Sequence, residues 1–335
     1  MRVEEFSLAL ETPLSTAAGE IVRREGVAVR IGGGVGEATP LPGWTESLEE
    51  CREALSGIDD PEAALADLDD RPATRHALSL ALMDRDAREK GVSLSSHLGG
   101  SSDSGETVPV NATVGDASPE ETAEAAREAV ENGFGTVKCK VGARPVDEDI
   151  ERVRAIREAV GPDPALRLDA NGGWSREGAA HALGELADIG IEYVEQPLAA
   201  DDVAGHRDLP STVPIALDES LAGRTVEGIE GLADAADVFV LKPMALGGID
   251  RVVELGRRLG DVVVTTTIDA VIARTAAVHA AAALGVERAC GLATADLLER
   301  DLAPDPAPVR DGAISVPTGP GLGTDGPWNG GGADA

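Results

Sequence analysis

The sequence contains few cysteines and no long apolar segment, and each of these scarcities excludes a class of protein. Its three cysteines, Cys51, Cys139 and Cys290, are too few and too widely spaced for a disulfide framework or a zinc site. No uncharged apolar run reaches the roughly 18 residues that a membrane span requires. The N-terminal segment MRVEEFSLAL is charged and lacks the apolar core of a signal peptide. We therefore expect a cytoplasmic protein that does not bind membranes.

Basic residues are also scarce, and lysine is nearly missing. The chain has 29 basic and 60 acidic residues, a net charge of −31 and an isoelectric point near 4.4. Such a charge would repel nucleic acid and anionic membranes, so we expect neither as a partner. The four lysines are Lys90, Lys138, Lys140 and Lys242, and every other basic residue is arginine.

An acidic, lysine-poor composition is typical of a halophile. In molar salt the Debye length falls to about 3 Å, which screens the repulsion between carboxylates. The alternative is an acidic cation-binding or interaction protein without catalytic activity. Acidic residues would then cluster in runs, whereas here they are scattered through amphipathic segments.

The first hundred residues do not repeat a β/α unit. Alternating apolar positions predict strands at Arg2–Leu10 and Ile21–Ile31, and helical spacing predicts helices at Leu48–Ser56 and Arg75–Lys90. The polar, glycine- and serine-rich stretch Gly99–Glu106 is a natural linker. We therefore predict an α+β domain over residues 1–104.

From residue 105 to 303, short β-rich runs alternate with amphipathic helical stretches. Eight such runs predict a (β/α)7–8 barrel; an open doubly wound sheet is the alternative, but no GxGxxG follows an early strand. Residues 304–335 lose this rhythm: Ala313–Pro317 is expected to return as a strand to the N-terminal domain, and the tail from Asp325 to be disordered. The predicted barrel strands are Val108–Val114, Thr136–Val141, Ala165–Ala170, Tyr193–Pro197, Pro214–Glu219, Val238–Pro243, Val262–Thr267 and Ala289–Thr294.

Charged residues occupy the C-terminal ends of five consecutive predicted strands, where barrels of this kind place their functional groups. A single buried charge often serves packing, but three acids on adjacent strands between lysines are difficult to explain in that way. Three converging carboxylates form an oxygen-only site that suits Mg²⁺, with Mn²⁺ as the alternative ion. Such an ion can stabilise the anion formed when a proton leaves the carbon beside a carboxylate. The residues are Lys138, Lys140, Asp169, Glu195, Asp218 and Lys242.

The lysines of this set have a chemical role that arginine cannot take. Lys138 and Lys140 are two residues apart and so face the same side of their strand, while Cys139 faces the helices. Two ammonium groups crowded near a divalent cation should each have a lowered pKa, which lets one of them act as a base. A guanidinium does not deprotonate, so a chain with few lysines would retain them here.

Five motifs resemble, in order, the muconate-lactonising subgroup of the enolase superfamily, and the similarity extends from Glu37 to about Leu298. It implies a TIM-type barrel with an N-terminal α+β capping domain, metal ligands at Asp169, Glu195 and Asp218, and catalytic lysines at Lys138, Lys140 and Lys242. The motifs are VKCKV (Val137–Val141), LDAN (Leu168–Asn171), VEQP (Val194–Pro197), ALDES (Ala216–Ser220) and LKP (Leu241–Pro243).

Members of the subgroup include o-succinylbenzoate synthases, dipeptide epimerases, N-succinylamino-acid racemases and cycloisomerases, so the fold alone does not select a reaction. Three segments are similar to the synthases: the loop Gly36–Trp44 (GEATPLPGW), Arg167, and the hydroxyl-rich Thr265–Ala270 (TTTIDA). Arg167 would alternatively neutralise the acidic barrel core. Gly291–Ala293 (GLA) lacks the Asp-x-Asp expected of dipeptide epimerases.

The resemblance thus implies a Mg²⁺-dependent syn-dehydration of 2-succinyl-6-hydroxy-2,4-cyclohexadiene-1-carboxylate in menaquinone biosynthesis. Lys140 would be the base, Lys138 would stabilise the anion, and Lys242 would lie across the ring. The alternative is a racemase of the same subgroup, which needs lysine bases on both faces of its substrate. The oligomeric state stays open. The expected substrate-binding residues are Arg167, Asn171, Thr266, Gly247 and Gly248.

Overall fold

The computed structural model describes residues 1–16, 19–100 and 106–328. Its N-terminal part is a three-stranded antiparallel sheet in the order β1-β2-β3, with helix α3 packed against β3. Both predicted strands and both predicted helices are confirmed, although the first strand continues to Thr16. The elements are β1 (Arg2–Thr16), β2 (Gly19–Ile31), β3 (Gly34–Ala38), α1 (Leu48–Ser56), α2 (Pro61–Ala64), α3 (Pro72–Lys90) and α4 (Leu94–His97).

The following part is a curled sheet whose helices cover its outer face, which confirms the predicted barrel with an N-terminal cap. Seven parallel strands lie in the order β11-β10-β9-β8-β7-β6-β5 within the described residues. Its elements are β4 (Thr107–Pro109), β5 (Ala112–Val114), α5 (Pro119–Glu131), β6 (Thr136–Lys140), α6 (Val146–Val160), β7 (Ala165–Asp169), α7 (Arg176–Leu186), β8 (Ile191–Glu195), α8 (Val203–Asp208), β9 (Ile215–Leu217), α9 (Val226–Glu230), β10 (Val238–Leu241), α10 (Pro243–Leu246), α11 (Ile249–Leu259), β11 (Val262–Val264) and α12 (Val271–Leu284).

The prediction of a continuous eighth strand at Ala289–Thr294 is wrong. Residues 289–294 make isolated bridges only, Cys290 with Val110 and Gly291 with Thr265. A Cβ at Gly291 would lie within 2.9 Å of the Thr265 Cβ, so the chain passes too close to β11 for a side chain there. The two bridges still connect the end of β11 to the segment before β5, and so they close the barrel.

Two further predictions need correction. The run Val108–Val114 is split into β4 and β5, and only β5 joins the barrel sheet. The segment Ala313–Pro317 was expected to return to the N-terminal domain as a strand. Instead β12 (Val309–Arg310) and β13 (Ala313–Ser315) form a sheet with β4, because the β13 backbone pairs with Thr107–Pro109.

The chain after β13 nevertheless contacts helix α3. The Leu322 amide donates to Asp84 Oδ1 at 2.6 Å, and Arg88 pairs with Asp325 at 2.9 Å. A 3₁₀ turn, Gly326–Trp328, follows, so the expected disorder does not begin at Asp325; residues 329–335 lie outside the described residues. Residues 101–105 of the predicted linker also lie outside them, and the domain boundaries stay predictions. None of the helices in the described ranges is long and apolar enough to cross a membrane.

Candidate active site

The predicted functional side chains meet at one end of the barrel. Lys138 and Lys140 lie on β6, and Lys140 pairs in register with Asp169 at the end of β7. Asp169 in turn pairs with Glu195 at the end of β8. Asp218 follows β9 and Lys242 follows β10 directly. Parallel strands place these residues at the same edge of the sheet, so the sequence spacing brings all six together. All six line a single cavity of about 450 Å³.

Each lysine of the cavity is paired with a buried carboxylate. Lys138 Nζ lies 2.9 Å from Asp169 Oδ2 and 3.0 Å from Glu195 Oε1. Lys140 Nζ lies 2.7 Å from the same Asp169 oxygen, and 2.9 Å from Asn171 Oδ1. Cys139 is buried on the opposite side, as predicted, and burial raises the pKa of its thiol to about 12. It therefore contributes to packing and not to nucleophilic chemistry.

The pKa values of the three acids shift in different directions, although burial acts in the same direction on each. Burial raises the pKa of Glu195 to about 7, and the nearby Asp169 carboxylate adds to the shift. Burial also raises the pKa of Asp218 to about 6, although a neighbouring ammonium opposes the shift. Burial acts in the same direction on Asp169, but the ammonium groups of Lys138 and Lys140 outweigh it and hold its pKa well below the usual range.

The pKa of Lys138 is set by the two carboxylates beside it. Burial disfavours its ammonium form, but the adjacent carboxylates of Asp169 and Glu195 outweigh burial and hold its pKa well above the usual range. The predicted lowering concerns lysines beside a divalent cation, and it stays a prediction.

The donor set fits a hard divalent cation. Asp169, Glu195 and Asp218 are each at most 2% exposed and offer only oxygen atoms. The buried Asp218 Oδ1 has no hydrogen-bond partner among the described residues. No three acidic, histidine or cysteine side chains of the described residues form a ready-made ligand cluster. The ammonium of Lys138 contacts both Asp169 and Glu195.

Glu219 directly follows Asp218, the third predicted metal ligand, and is a second carboxylate there. Glu219 Oε1 accepts a hydrogen bond from Asn171 Nδ2 at 2.8 Å, and Asn171 Oδ1 faces Lys140. Asn171 has a φ of 44°, a left-handed conformation that asparagine tolerates better than most residues. Asn171 was predicted to bind substrate, and here it lines the cavity and holds the Lys140 ammonium.

Lys242 lies between an acid and an aromatic ring. Its Nζ is 2.6 Å from Asp218 Oδ2 and 3.6 Å from the centroid of the Trp44 ring. Trp44 belongs to the loop that connects β3 with α1, so the N-terminal part of the chain contacts the active site directly. This contact is a cation–π interaction, in which the face of the Trp44 ring attracts the lysine ammonium.

The rest of the cavity wall contains both polar and apolar side chains. Thr266, predicted to bind substrate, lines it and lies 3.2 Å from the hydroxyl of Thr294. Further hydroxyl and amide side chains come from Asn111, Thr113, Thr265 and Thr267. The apolar lining residues are Leu14, Leu41, Ile268, Ala293 and Leu297.

Arg167 faces the barrel interior but lies outside the cavity. It pairs in register with Lys138 and is fully buried. Its Nε donates to Glu192 Oε2 at 2.6 Å, and its Nη1 donates to the Ala289 carbonyl at 2.5 Å. Its guanidinium stacks on the Tyr193 ring at 4.7 Å. These contacts support charge neutralisation in the barrel core and give no support to substrate binding.

Gly247 and Gly248 also lie away from the cavity. The Gly247 carbonyl accepts a hydrogen bond from Arg75 of α3 at 2.6 Å, and a Cβ at Gly248 would lie 2.8 Å from Ser79 Oγ. Both glycines have positive φ values, 86° and 151°. They therefore allow the chain after α10 to turn against α3, and this placement does not support their predicted contact with substrate.

Several residues that line the cavity or contact its side chains were not predicted as site residues. Glu219 and Trp44 stand within quoted motifs, so the motif itself was the available signal. Leu14 comes from the tip region of the β1–β2 hairpin, and Asn111 from the segment before β5. No local pattern marks Leu14, because only the packing of the N-terminal sheet on the barrel brings the hairpin to the cavity.

Comparison with known proteins identifies similar chains. The profile of the enolase C-terminal domain-like family matches residues 121–327. The o-succinylbenzoate synthase of Thermobifida fusca is 40% identical over 215 residues, which cover 63% of this chain and 67% of the synthase. The L-Ala-D/L-Glu epimerase of Bacillus subtilis is 32% identical over 353 residues, which cover 96% of each chain.

Solved structures agree with this similarity. The dipeptide epimerase of Methylococcus capsulatus, in complex with Mg and the dipeptide L-Arg-D-Lys, superposes with a TM-score of 0.85 and 30% identity. The superposition covers 96% of this chain and 98% of that chain. The similarity to a Mg-bound relative extends through both the N-terminal sheet and the barrel.

Proposed function

The chain belongs to the enolase C-terminal domain-like family, and on this premise we propose that it is an o-succinylbenzoate synthase. It would dehydrate 2-succinyl-6-hydroxy-2,4-cyclohexadiene-1-carboxylate with the help of Mg²⁺. The observation that carries the proposal is the wall formed by Gly291, Ala293 and Leu297, which offers no carboxylate to a substrate ammonium. A substrate with carboxylates and an apolar ring fits this cavity better than a dipeptide.

Asp169, Glu195 and Asp218 are the residues that would hold the metal ion. When bound, Mg²⁺ supplies positive charge beside the substrate carboxylate, which lowers the energy of the anion formed by proton loss. The unpartnered oxygen of Asp218 and the all-oxygen donor set support this assignment.

Lys140 on β6 would carry the proton. Lys140 accepts the proton from the carbon beside the carboxylate, and its resulting ammonium donates that proton to the departing hydroxyl. The C–H and C–O bonds break, water leaves, and the electron pair completes the aromatic ring. Asn171, whose Oδ1 lies 2.9 Å from Lys140 Nζ, keeps the amine directed at the cavity. Lys138 contributes positive charge beside the developing anion.

Racemisation or epimerisation is the second candidate, and a specific observation favours it. Lys242 reaches the same cavity from the end of β10, four strands away from the β6 lysines in the sheet order. Two lysines that approach from different strands can serve as bases on the two faces of one carbon. The Bacillus subtilis epimerase also matches along almost the whole chain.

The deciding experiment incubates the purified protein with Mg²⁺ and the cyclohexadiene substrate in molar KCl. We expect the ultraviolet absorbance of the aromatic product to appear, and Asp218→Asn to abolish it. N-succinylamino acids and dipeptides are tested beside it by loss of the α-proton signal in D₂O. Exchange without dehydration would favour the racemase, and no turnover of any substrate would contradict both candidates.

A further inference from the structure

A strained residue forms part of the cavity wall. Ile268 has a φ of 60°, in the left-handed region that β-branched residues rarely adopt. Such a conformation persists only where the surrounding structure holds it in place. Ile268 lies in the segment between β11 and α12, and it is one of the residues that line the cavity. The contacts that hold it are therefore important for the shape of the substrate site.

A buried arginine of the N-terminal sheet holds this residue. Arg24, on β2, is 3% exposed, and its Nε donates to the Ile268 carbonyl at 3.1 Å. Its Nη2 donates to the Thr39 carbonyl at 2.8 Å, which fixes the guanidinium against the chain after β3. Hydrogen bonds from a charged donor are stronger than neutral ones, so Arg24 sets the direction in which the Ile268 carbonyl points.

Glu37 on β3 fixes the residue at which the same segment enters α12. Helix α12 has no side-chain cap of its own at Ala270. The fully buried Glu37 carboxylate accepts the Ala270 amide at 2.8 Å and the Ala273 amide at 2.9 Å. A carboxylate at a helix N-terminus is favourable. Two strands of the N-terminal sheet thus hold the wall segment Thr266–Ala270 at two points.

We propose that Arg24 is a positioning residue for substrate binding: by holding the Ile268 carbonyl it keeps the wall segment Thr266–Ala270 in its substrate-binding conformation. The lysines and acids lie on β6 to β10 and do not depend on this segment for their own contacts. Loss of Arg24 should therefore weaken substrate binding and spare the proton transfer. The kinetic part of this inference rests on the proposed dehydration, whereas the geometric part does not.

The first test measures kcat and KM for dehydration in Arg24→Ala. We expect KM to rise by roughly tenfold, as for the loss of one charged hydrogen bond, while kcat changes by less than about twofold. Millimolar guanidinium should lower KM again in this variant, and Arg24→Lys should have an intermediate KM. Arg88→Ala is the matched control, because Arg88 is a half-buried arginine of α3 that bonds Asp84 and the Thr324 carbonyl. It should leave KM unchanged.

The second test combines Arg24→Ala with Ile268→Gly, since glycine adopts the left-handed conformation without strain. In the Ile268→Gly background, Arg24→Ala should raise KM by less than about threefold, because contacting residues behave non-additively. An equal effect in both backgrounds, or an unchanged KM in Arg24→Ala, would overturn the proposal. If the wild type does not dehydrate its substrate, the proposed function fails, and the positioning role is decided by hydrogen–deuterium exchange. The amides of residues 266–270 should exchange faster in Arg24→Ala than in the wild type, and at the wild-type rate in Arg88→Ala. If these amides exchange in Arg24→Ala at the wild-type rate, the positioning role is rejected.

Discussion

Lys140 and Lys242 reach the cavity from different strands, and the proposed dehydration needs only one of them. A proton removed from one carbon and returned to the leaving hydroxyl on the same side requires one base. Racemisation requires a second base on the other face. Each lysine has its own carboxylate partner, Asp169 for Lys140 and Asp218 for Lys242, so each can be replaced separately.

We expect Lys140→Arg to lower the dehydration rate by about 10²–10⁴, because a guanidinium keeps the charge but cannot act as a base. Lys242→Arg should retain dehydration and lose any racemisation of N-succinylamino acids. The measurements are product absorbance and α-proton exchange in D₂O. Lys90→Arg is the control, since Lys90 is a lysine of α3 outside the cavity, and its rates should equal the wild type. Full dehydration by Lys140→Arg would disprove its role as the base.

A second residue-scale prediction concerns Glu37, whose carboxyl lies outside the lysine cluster. Burial raises its pKa from 4.5 to about 7, and the neighbouring carboxylate of Asp269 adds to the shift. Between these two values the folded state holds a proton that the unfolded state releases. The free energy of unfolding should therefore fall as pH rises from about 4.5 to 7, by on the order of 1–3 kcal/mol.

Urea denaturation at pH 5 and pH 7.5 measures this fall in the free energy of unfolding. Glu37→Gln cannot ionise, so its free energy of unfolding should decline less between the two pH values than that of the wild type. Other buried acids such as Glu195 and Asp218 contribute equally to both proteins and cancel in the comparison. Identical slopes in the two proteins would show that Glu37 does not titrate in this range.

At the scale of elements, the contact of strand β3 with helix α3 depends on glycine. A Cβ at Gly36 would lie 1.9 Å from the Ala77 carbonyl oxygen of α3. The close approach lets the helix cover the sheet and places Glu37, the next residue, fully inside the molecule. Small residues at such a crossing decide how near two elements can come, and here they decide where Glu37 and Arg24 meet the barrel.

Gly36→Ala should therefore lower the free energy of unfolding by about 1–3 kcal/mol, since backbone atoms cannot yield to the added methyl group. Gly184→Ala is a matched substitution in the exposed part of α7, where a Cβ meets no atom within 4 Å. Alanine is the better helix former, so this variant should gain about 0.5–1 kcal/mol. Chemical denaturation measures both, and equal stabilities of the two variants would contradict the close packing.

Elements defined by local interactions could be predicted from the sequence, whereas those defined by distant partners could not. Helix α5 begins at Pro119 after Ser118, whose side chain caps it, because capping is a local interaction. The split of Val108–Val114 was not predictable, since β4 takes its partner from β13 some 200 residues later. Local periodicity identifies a strand but does not identify its partner.

At the scale of the whole molecule, the net charge of −31 determines how stability should depend on salt. Carboxylate repulsion disfavours the compact state, and salt screens it: the Debye length falls from about 10 Å at 0.1 M to about 3 Å at 1 M. We expect the free energy of unfolding to rise from 0.1 to 2 M KCl. Urea denaturation at both concentrations measures it, with NaCl as the comparison that separates screening from ion-specific binding. A stability independent of salt would contradict adaptation to molar salt.

The sequence by itself determined which charged residues stand at the strand ends. Strand periodicity is local, and parallel strands end at one edge, so Lys138, Lys140, Asp169, Glu195 and Asp218 were expected together and lie together. The motif order also predicted the family before any coordinates.

Only the tertiary structure decided what surrounds that chemistry. It placed Leu14 and Trp44 of the N-terminal part at the active site, and it paired Arg167 with Glu192 instead of a substrate. It also joined Arg24 to Ile268, which is 244 positions away. Such contacts follow from how the N-terminal sheet packs on the barrel, and no local spacing of residues records that packing.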